Sequence, residues 1–214
     1  MRFLLLDAVG ITAVFVAALF VFIMSGSFAL QNLAIALSFL IIGIAITKYM
    51  YDEKKAKGVY EHERSWQNVL SNSLFPLIAC GAFYVTKNPS WIAAYVGAFA
   101  GAMADKFGSE LGVLSPNPIS LGTFKPVRQG ISGAMSILGT YLSFVGALII
   151  GIIGFYFYNY NSLSILSIGL FGLLGSFADS IAGVFEEKGL GTKSTSNFIC
   201  TLVSGLLAYL FIVL

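Results

Sequence analysis

Apolar runs long enough to cross a bilayer recur along the whole chain, and nearly every charge falls in the gaps between them. This pattern predicts an all-α, polytopic integral-membrane helix bundle. Composition agrees, at 57% hydrophobic and 10% charged, with a mean hydropathy of +0.88. About seven transmembrane helices are expected, near 3–24, 28–50, 68–86, 90–105, 131–158, 162–180 and 198–214. The first run is too long, and lacks the polar exit, for a cleaved signal peptide, so it reads as a retained helix. Residues 1–214 then form a single transmembrane domain, with N-terminal helices over 1–60 and a core over 61–214.

With seven spans, eleven of the twelve basic residues fall on one side of the membrane, and only Lys87 falls on the other. The positive-inside rule puts that side, and the N-terminus, in the cytoplasm. The net charge of +2 is too small to suggest nucleic acid, and no nucleic-acid motif is present. Cys80 and Cys200 lie inside apolar runs and read as small buried hydrophobes. His62 is the only histidine, so it has no metal-binding partner of its own kind and reads as a surface residue. A transporter would carry polar groups near the midplane of several helices. Here Asp7 is the nearest case, about two turns into the first run.

Three gaps carry the candidate chemistry. Two open with the same pattern, GxxAD, at Gly101–Asp105 and Gly175–Asp179. Each sets an aspartate at the end of an apolar helix, where a carboxylate is costly without a partner, a metal or a function. In ADKFGSELG, Asp105, Ser109 and Glu110 come within reach if the helix continues, giving hard oxygen ligands suited to Mg²⁺. The alternative is a helix end with solvated charges beside Lys106. Asp179 and Ser180 parallel the first pair, and a cation bridging the two aspartates would offset their repulsion. Glu186, Glu187 and Lys188 read as a solvated loop. Lys193 lies just before Ser196 and Asn197, either of which is a candidate N-cap, and it could reach a phosphate.

Between these two segments, Lys125 and Arg128 precede Gly130, Ser132, Gly133 and Ser136 at the expected start of a helix. Glycines that permit close approach, backbone N–H groups and two nearby cations resemble an anion cradle. The same small residues would equally serve tight helix packing in a membrane. The two cations tilt the reading toward phosphate. Upstream, Arg64 could contact phosphate in bidentate fashion, Trp66 suits the interfacial belt, and Asn72 falls at the edge of an apolar helix.

Taken in order, these segments resemble one known family. ERSWQNVLSN, ending at Asn72, is similar to an Arg-x-Trp-x-Gln-Val-Leu-x-Asn motif, with Asn68 at the Gln position. ADKFGSELG resembles Ala-Asp-Thr-x-x-Ser-Glu-x-Gly, with Lys106 at the Thr position. RQGISGAMSILGT resembles Gly-Thr-x-Gly-Gly-Val-Ser-x-x-Gly-Thr, GSFADSIAG resembles Gly-Ser-x-x-Asp-Ser-x-x-Gly, and SNFICTLVSGLLA resembles a closing Val-Asn-Phe-x-x-Thr-x-x-Gly segment. The family is the integral-membrane one that includes phytyl-phosphate kinase and transmembrane protein 19 (domain of unknown function ninety-two), and ADSIAG is also similar to a segment of CTP-dependent prenol kinases. The resemblance covers roughly residues 60–214. It implies phosphoryl transfer from CTP, or another nucleoside triphosphate, to a prenyl monophosphate among membrane lipids. Asp105 and Asp179 would hold Mg²⁺, with Glu110 as a further ligand or a base. Lys125, Arg128 and Lys193 would neutralise the triphosphate, and Gly130–Ser136 would cradle it. A CTP:lipid-phosphate cytidylyltransferase would use the same site, and a small transporter is the alternative from another class. Self-association as a homo-oligomer is left open.

Overall fold

A helix that is not itself strongly apolar organises the bundle. The computed structural model describes residues 6–58 and 66–212; Arg64 and His62 lie outside them. In chain order the helices are α1 (Ala8–Met24), a 3-10 turn (Gly26–Phe28), α2 (Ala29–Lys48), α3 (Tyr51–Ala56), α4 (Trp66–Thr86) and α5 (Ser90–Gly112). They continue with α6 (Ile137–Tyr158), α7 (Ser162–Glu186) and α8 (Lys193–Phe211). A two-stranded antiparallel ribbon, β1 (Ile119–Ser120) and β2 (Ala134–Met135), folds the segment between α5 and α6 into a flap.

α5 packs against α2, α4, α6, α7 and α8. Most of its buried positions are Ala, Gly and other small or aromatic residues, and it carries Asp105, Lys106 and Glu110. A helix surrounded by protein needs close contact rather than the bulky side chains that face lipid. Among the described residues, five helices are long and apolar enough to cross a membrane: α2 with its leading turn, α4, α6, α7 and α8; α1 is a shorter apolar helix. The expected count of seven is therefore corrected to five, or six with α1. The difference comes from the shortness of α1 and the polar content of α5.

Several boundaries also move, each for a local reason. α6 starts at Ile137 rather than 131, because Gly130 and Gly133 hold φ of +84° and +73°. Those left-handed values belong to a turn, not to a right-handed helix. Ser136 caps α6, its hydroxyl oxygen accepting from the Gly139 N–H at 3.0 Å. α7 continues past 180 to Glu186, so Glu186 and Glu187 are not a free loop but the end of that helix. α8 begins at Lys193 with Thr192 as its N-cap, so neither Ser196 nor Asn197 caps it. Asp7, the candidate midplane acid, instead caps α1 by accepting from the Gly10 N–H at 2.6 Å.

The helices alternate in direction, so each end of the bundle has its own character. At one end the short turns meet in a buried network. Asn32 donates to Ser25 Oγ at 2.8 Å, Tyr95 donates to the Asn32 carbonyl at 2.8 Å, and Tyr158 donates to Asn32 Oδ1 at 2.5 Å. Cys80, buried as the sequence suggests, lies 3.5 Å from Ser25 Oγ. At the other end the three charged gaps converge.

Candidate functional site

The two GxxAD segments flank one face of α8. A Cβ at Gly101 would lie 3.1 Å from the Cys200 carbonyl oxygen, and one at Gly175 would lie 2.6 Å from the same oxygen. Only glycine lets α5 and α7 approach α8 this closely. One turn further along each helix, Asp105 and Asp179 come close enough to interact electrostatically. Lys193, two turns before Cys200 on α8, lies between them. Its Nζ donates to Asp179 at 3.0 and 3.2 Å and stands 3.9 Å from Asp105 Oδ1. Glu186, two turns after Asp179, adds a further negative charge within range of Lys193. Asp179, Asp105 and Glu186 thus surround the Lys193 ammonium, with Lys106 a second positive charge near Asp105, and carboxylates gathered in this way favour a cation.

These groups border a cavity of about 420 Å³ between the flap and the ends of α4, α5, α6, α7 and α8. It is lined by Asp105, Glu110, Asp179, Lys193 and Asn197, by Gly130, Ser132, Gly133 and Ser136 of the flap, and by Asn72, Ser109 and Ser180. Residues expected from three separated gaps are therefore brought to one place. Others are not. Lys125 and Arg128 are exposed on the flap, and neither lines the cavity. Trp66, 41% exposed at the start of α4, also lies off it.

Glu110 has a different setting from the one expected. It accepts from Lys54 at 2.9 Å, from Thr47 at 3.0 Å, and from Lys106 one turn earlier on α5. Lys54 is fully buried and also donates to the Ile46 and Thr47 carbonyls at 3.0 and 3.2 Å, at the C-terminus of α2. Two ammonium groups thus hold Glu110, the residue expected as a further ligand or a base beside Asp105 and Asp179. Among the described residues no three His, Cys, Asp or Glu side chains form a metal-binding group. The i, i+4 spacing of Lys106 and Glu110 signals their pairing in the sequence; nothing there signals Lys54.

The flap is tied down by α7. The Ser132 N–H donates to Glu187 Oε1 at 3.1 Å, and its hydroxyl donates to Glu186 Oε2 at 2.9 Å. Gly183 lets the turn sit against the helix, since a Cβ there would lie 2.6 Å from the Gly133 nitrogen. The supposed anion cradle is therefore a turn rather than a helix N-terminus, and side-chain carboxylates from α7 hold the Ser132 donors. Sequence reasoning missed Glu186, Lys106, Asn68, Gln129, Thr140 and Ser176, all of which line the cavity. For Glu186 the signal was available: it is two helical turns from Asp179, on the same face.

Fold and site together define a polytopic helical membrane protein with an acid–lysine cavity at one end of its bundle. The chain belongs to the family described as integral membrane protein DUF92, whose model matches residues 1–204. It is similar to an uncharacterised membrane protein of Methanocaldococcus jannaschii, 35% identical over 84% of this chain and 76% of the relative. An uncharacterised membrane protein of Synechocystis is 29% identical over 56% of this chain and 50% of its own length. Protein PGR of Arabidopsis thaliana is 30% identical over 70% of this chain and 62% of its own length. No solved structure matches the chain.

Proposed function

We propose that this protein is a prenyl-phosphate kinase. It would transfer the γ-phosphoryl group of CTP, or of another nucleoside triphosphate, to an isoprenoid monophosphate such as phytyl or geranylgeranyl phosphate. The observation that carries this reading is the meeting of Asp105, Asp179 and Lys193 in one polar cavity at the end of an apolar bundle. Such a cavity suits a substrate with an anionic head and an apolar tail, which the surrounding helices accept. The motif resemblance to phytyl-phosphate and prenol kinases supports the reaction class. The distribution of basic residues supports a cytoplasmic site, where nucleotides are found.

Asp105 and Asp179 fit a divalent cation: both offer hard oxygen donors, and both neighbour the same Lys193 ammonium. Mg²⁺ bound by them would supply neutralisation of the triphosphate. Lys193 offers a point charge to the phosphates. The Ser132 N–H and hydroxyl offer neutral donors once released from Glu186 and Glu187. An oxygen of the acceptor phosphate, already anionic, attacks the γ-phosphorus. The bond from that phosphorus to the β,γ-bridging oxygen breaks, and CDP leaves with the electron pair. No strong base is needed, so positioning and charge neutralisation carry the catalysis.

The test uses purified protein in detergent with Mg²⁺, labelled CTP and phytyl or geranylgeranyl monophosphate. CDP and prenyl diphosphate are expected in equal amounts. Asp105→Asn and Asp179→Asn are each expected to lower turnover by on the order of a hundredfold or more. Pyrophosphate with a CDP-lipid would reassign the site to cytidylyl transfer. Absence of turnover with every nucleotide and prenyl phosphate would refute the kinase reading and lead to a flux assay in liposomes.

A further inference from the structure

Two residues that line the cavity each carry a buried polar atom without a hydrogen-bond partner, Glu186 Oε1 and Asn197 Oδ1, and the second belongs to a neutral side chain. Asn197, 5% exposed, sits on α8 one turn after Lys193, and its Oδ1 is buried without a hydrogen-bond donor. The orientation of the amide follows from its other contact. Asn197 Nδ2 stands 3.4 Å from Ser71 Oγ, and the Ser71 hydroxyl donates to the Asn68 carbonyl at 3.3 Å. Ser71 has one proton and it is spent, so Ser71 can only accept from Asn197. The amide nitrogen therefore faces α4, leaving the carbonyl oxygen on the other side of the amide, in a residue that lines the cavity. A buried carbonyl oxygen without a donor is costly to keep, so something must be supplied to it.

Helix geometry says what stands nearby. α8 runs antiparallel to α5 and α7, and Gly101 and Gly175 both abut it at Cys200. Asp105 and Asp179 lie one turn on from those glycines, toward the start of α8. Asn197 lies on α8 about one turn before Cys200, in the same direction, so the residue is level with Asp105 and Asp179. We propose that Asn197 Oδ1 is the third protein ligand of a divalent cation held by Asp105 and Asp179, and that the Lys193 ammonium takes the cation's place when it is absent. The proposal rests on the reading of those two aspartates given under Proposed function. Two carboxylate oxygens and one amide oxygen form a hard donor set for Mg²⁺ or Mn²⁺, with the remaining positions left to water or phosphate. Lys193 then competes with the metal, and once displaced it is free to face an anionic substrate.

The test is metal binding by the full chain in detergent, with Mn²⁺ alone as the probe and its free-ion paramagnetic resonance signal as the readout. Neither nucleotide nor prenyl phosphate is present. Asn197→Leu is expected to weaken Mn²⁺ by about tenfold or more, and Asn197→Asp is expected to restore or exceed wild-type affinity. Lys193→Met is expected to tighten binding by about tenfold, because it removes the competing charge. Thermal melts of each variant identify loss of fold, and rescue by Asn197→Asp separates a ligand role from packing. Unchanged Mn²⁺ affinity in a folded Asn197→Leu variant overturns the proposal. So does an absence of binding in both wild type and Lys193→Met. Mn²⁺ binding with the expected variant order but no prenyl-phosphate turnover would leave this proposal standing and remove the kinase reading. Turnover with Asn197→Leu at wild-type metal affinity would do the reverse.

Discussion

Glu110→Gln should destabilise the protein more than removal of either lysine that faces it. The side chain keeps its shape and loses only its charge, so the effect reports electrostatics rather than packing. In the wild type one carboxylate answers two ammonium groups, with Lys54 at 2.9 Å and Lys106 on the other oxygen. Lys54 is fully buried, and without Glu110 it retains only the carbonyls of Ile46 and Thr47. Removing one partner of a buried pair costs about 3–5 kcal/mol, because the remaining charge is left uncompensated. Lys54→Met should cost less, about 1.5–3 kcal/mol for one charged hydrogen bond, since Glu110 still has Lys106. The double variant Lys54→Met with Glu110→Gln should be more stable than Glu110→Gln alone, because no fully buried charge is left in it. Lys106 borders the cavity and interacts there with the charge of Asp105. The assay is reversible unfolding by sodium dodecyl sulfate in mixed micelles, followed by the fluorescence of Trp66 and Trp91. A Glu110→Gln variant within about 1 kcal/mol of wild type would refute this reasoning. So would a double variant whose cost equals the sum of the two single costs.

Gly175→Ala should cost about 1–3 kcal/mol in the same unfolding assay, because its Cβ would fall 2.6 Å from the Cys200 carbonyl oxygen, and a neutral result would mean that α8 can shift freely. Gly133→Ala meets both a φ of +73° and a 2.7 Å approach to the Val184 nitrogen, so it should loosen the flap. Faster trypsin cleavage after the exposed Arg128 would show this, whereas wild-type protection would count against the seating of Gly133 on α7. Sidedness can be tested with a membrane-impermeant maleimide, since both native cysteines are buried and should not react. Lys188→Cys should label only from the cytoplasm and Lys87→Cys only from outside; the opposite pattern would invert the topology.

The charge distribution made the architecture legible, because lipid penalises scattered charge and so sorts the polar gaps to one end. The meeting of Asp105, Asp179 and Lys193 at that end follows for the same reason. The count of spans was not legible, because Ala and Gly score as only moderately apolar whether they face lipid or, as in α5, other helices. The start of α6 was hidden by a similar ambiguity. Gly130 to Ser136 continue the small-residue pattern of the helix, and only their φ values show a turn. The pairing of Glu110 with Lys54 was not legible, because Lys54 is 56 residues away and meets it through tertiary packing. Lys125 and Arg128 were misjudged from proximity in sequence: they flank the cradle residues, yet the β1–β2 flap carries them to the surface.

The repeated GxxAD pattern gains its meaning from α8 rather than from either helix that carries it. A glycine is needed where α5 and α7 each touch the Cys200 turn, and one turn later each helix must present whatever that face of α8 requires. What α8 presents is Lys193, so both helices place an aspartate there. Asp105 and Asp179 would repel each other without a positive charge beside them, which makes the seating of three helices depend on the charge that occupies this point. An anion that drew Lys193 away would leave the pair uncompensated. A phosphate-bearing ligand can therefore enter at little electrostatic cost only in company with a cation that replaces the ammonium. This coupling ties packing at the GxxAD glycines to binding at the GxxAD acids: loosening α8 would weaken the site, and emptying the site of positive charge would loosen α8.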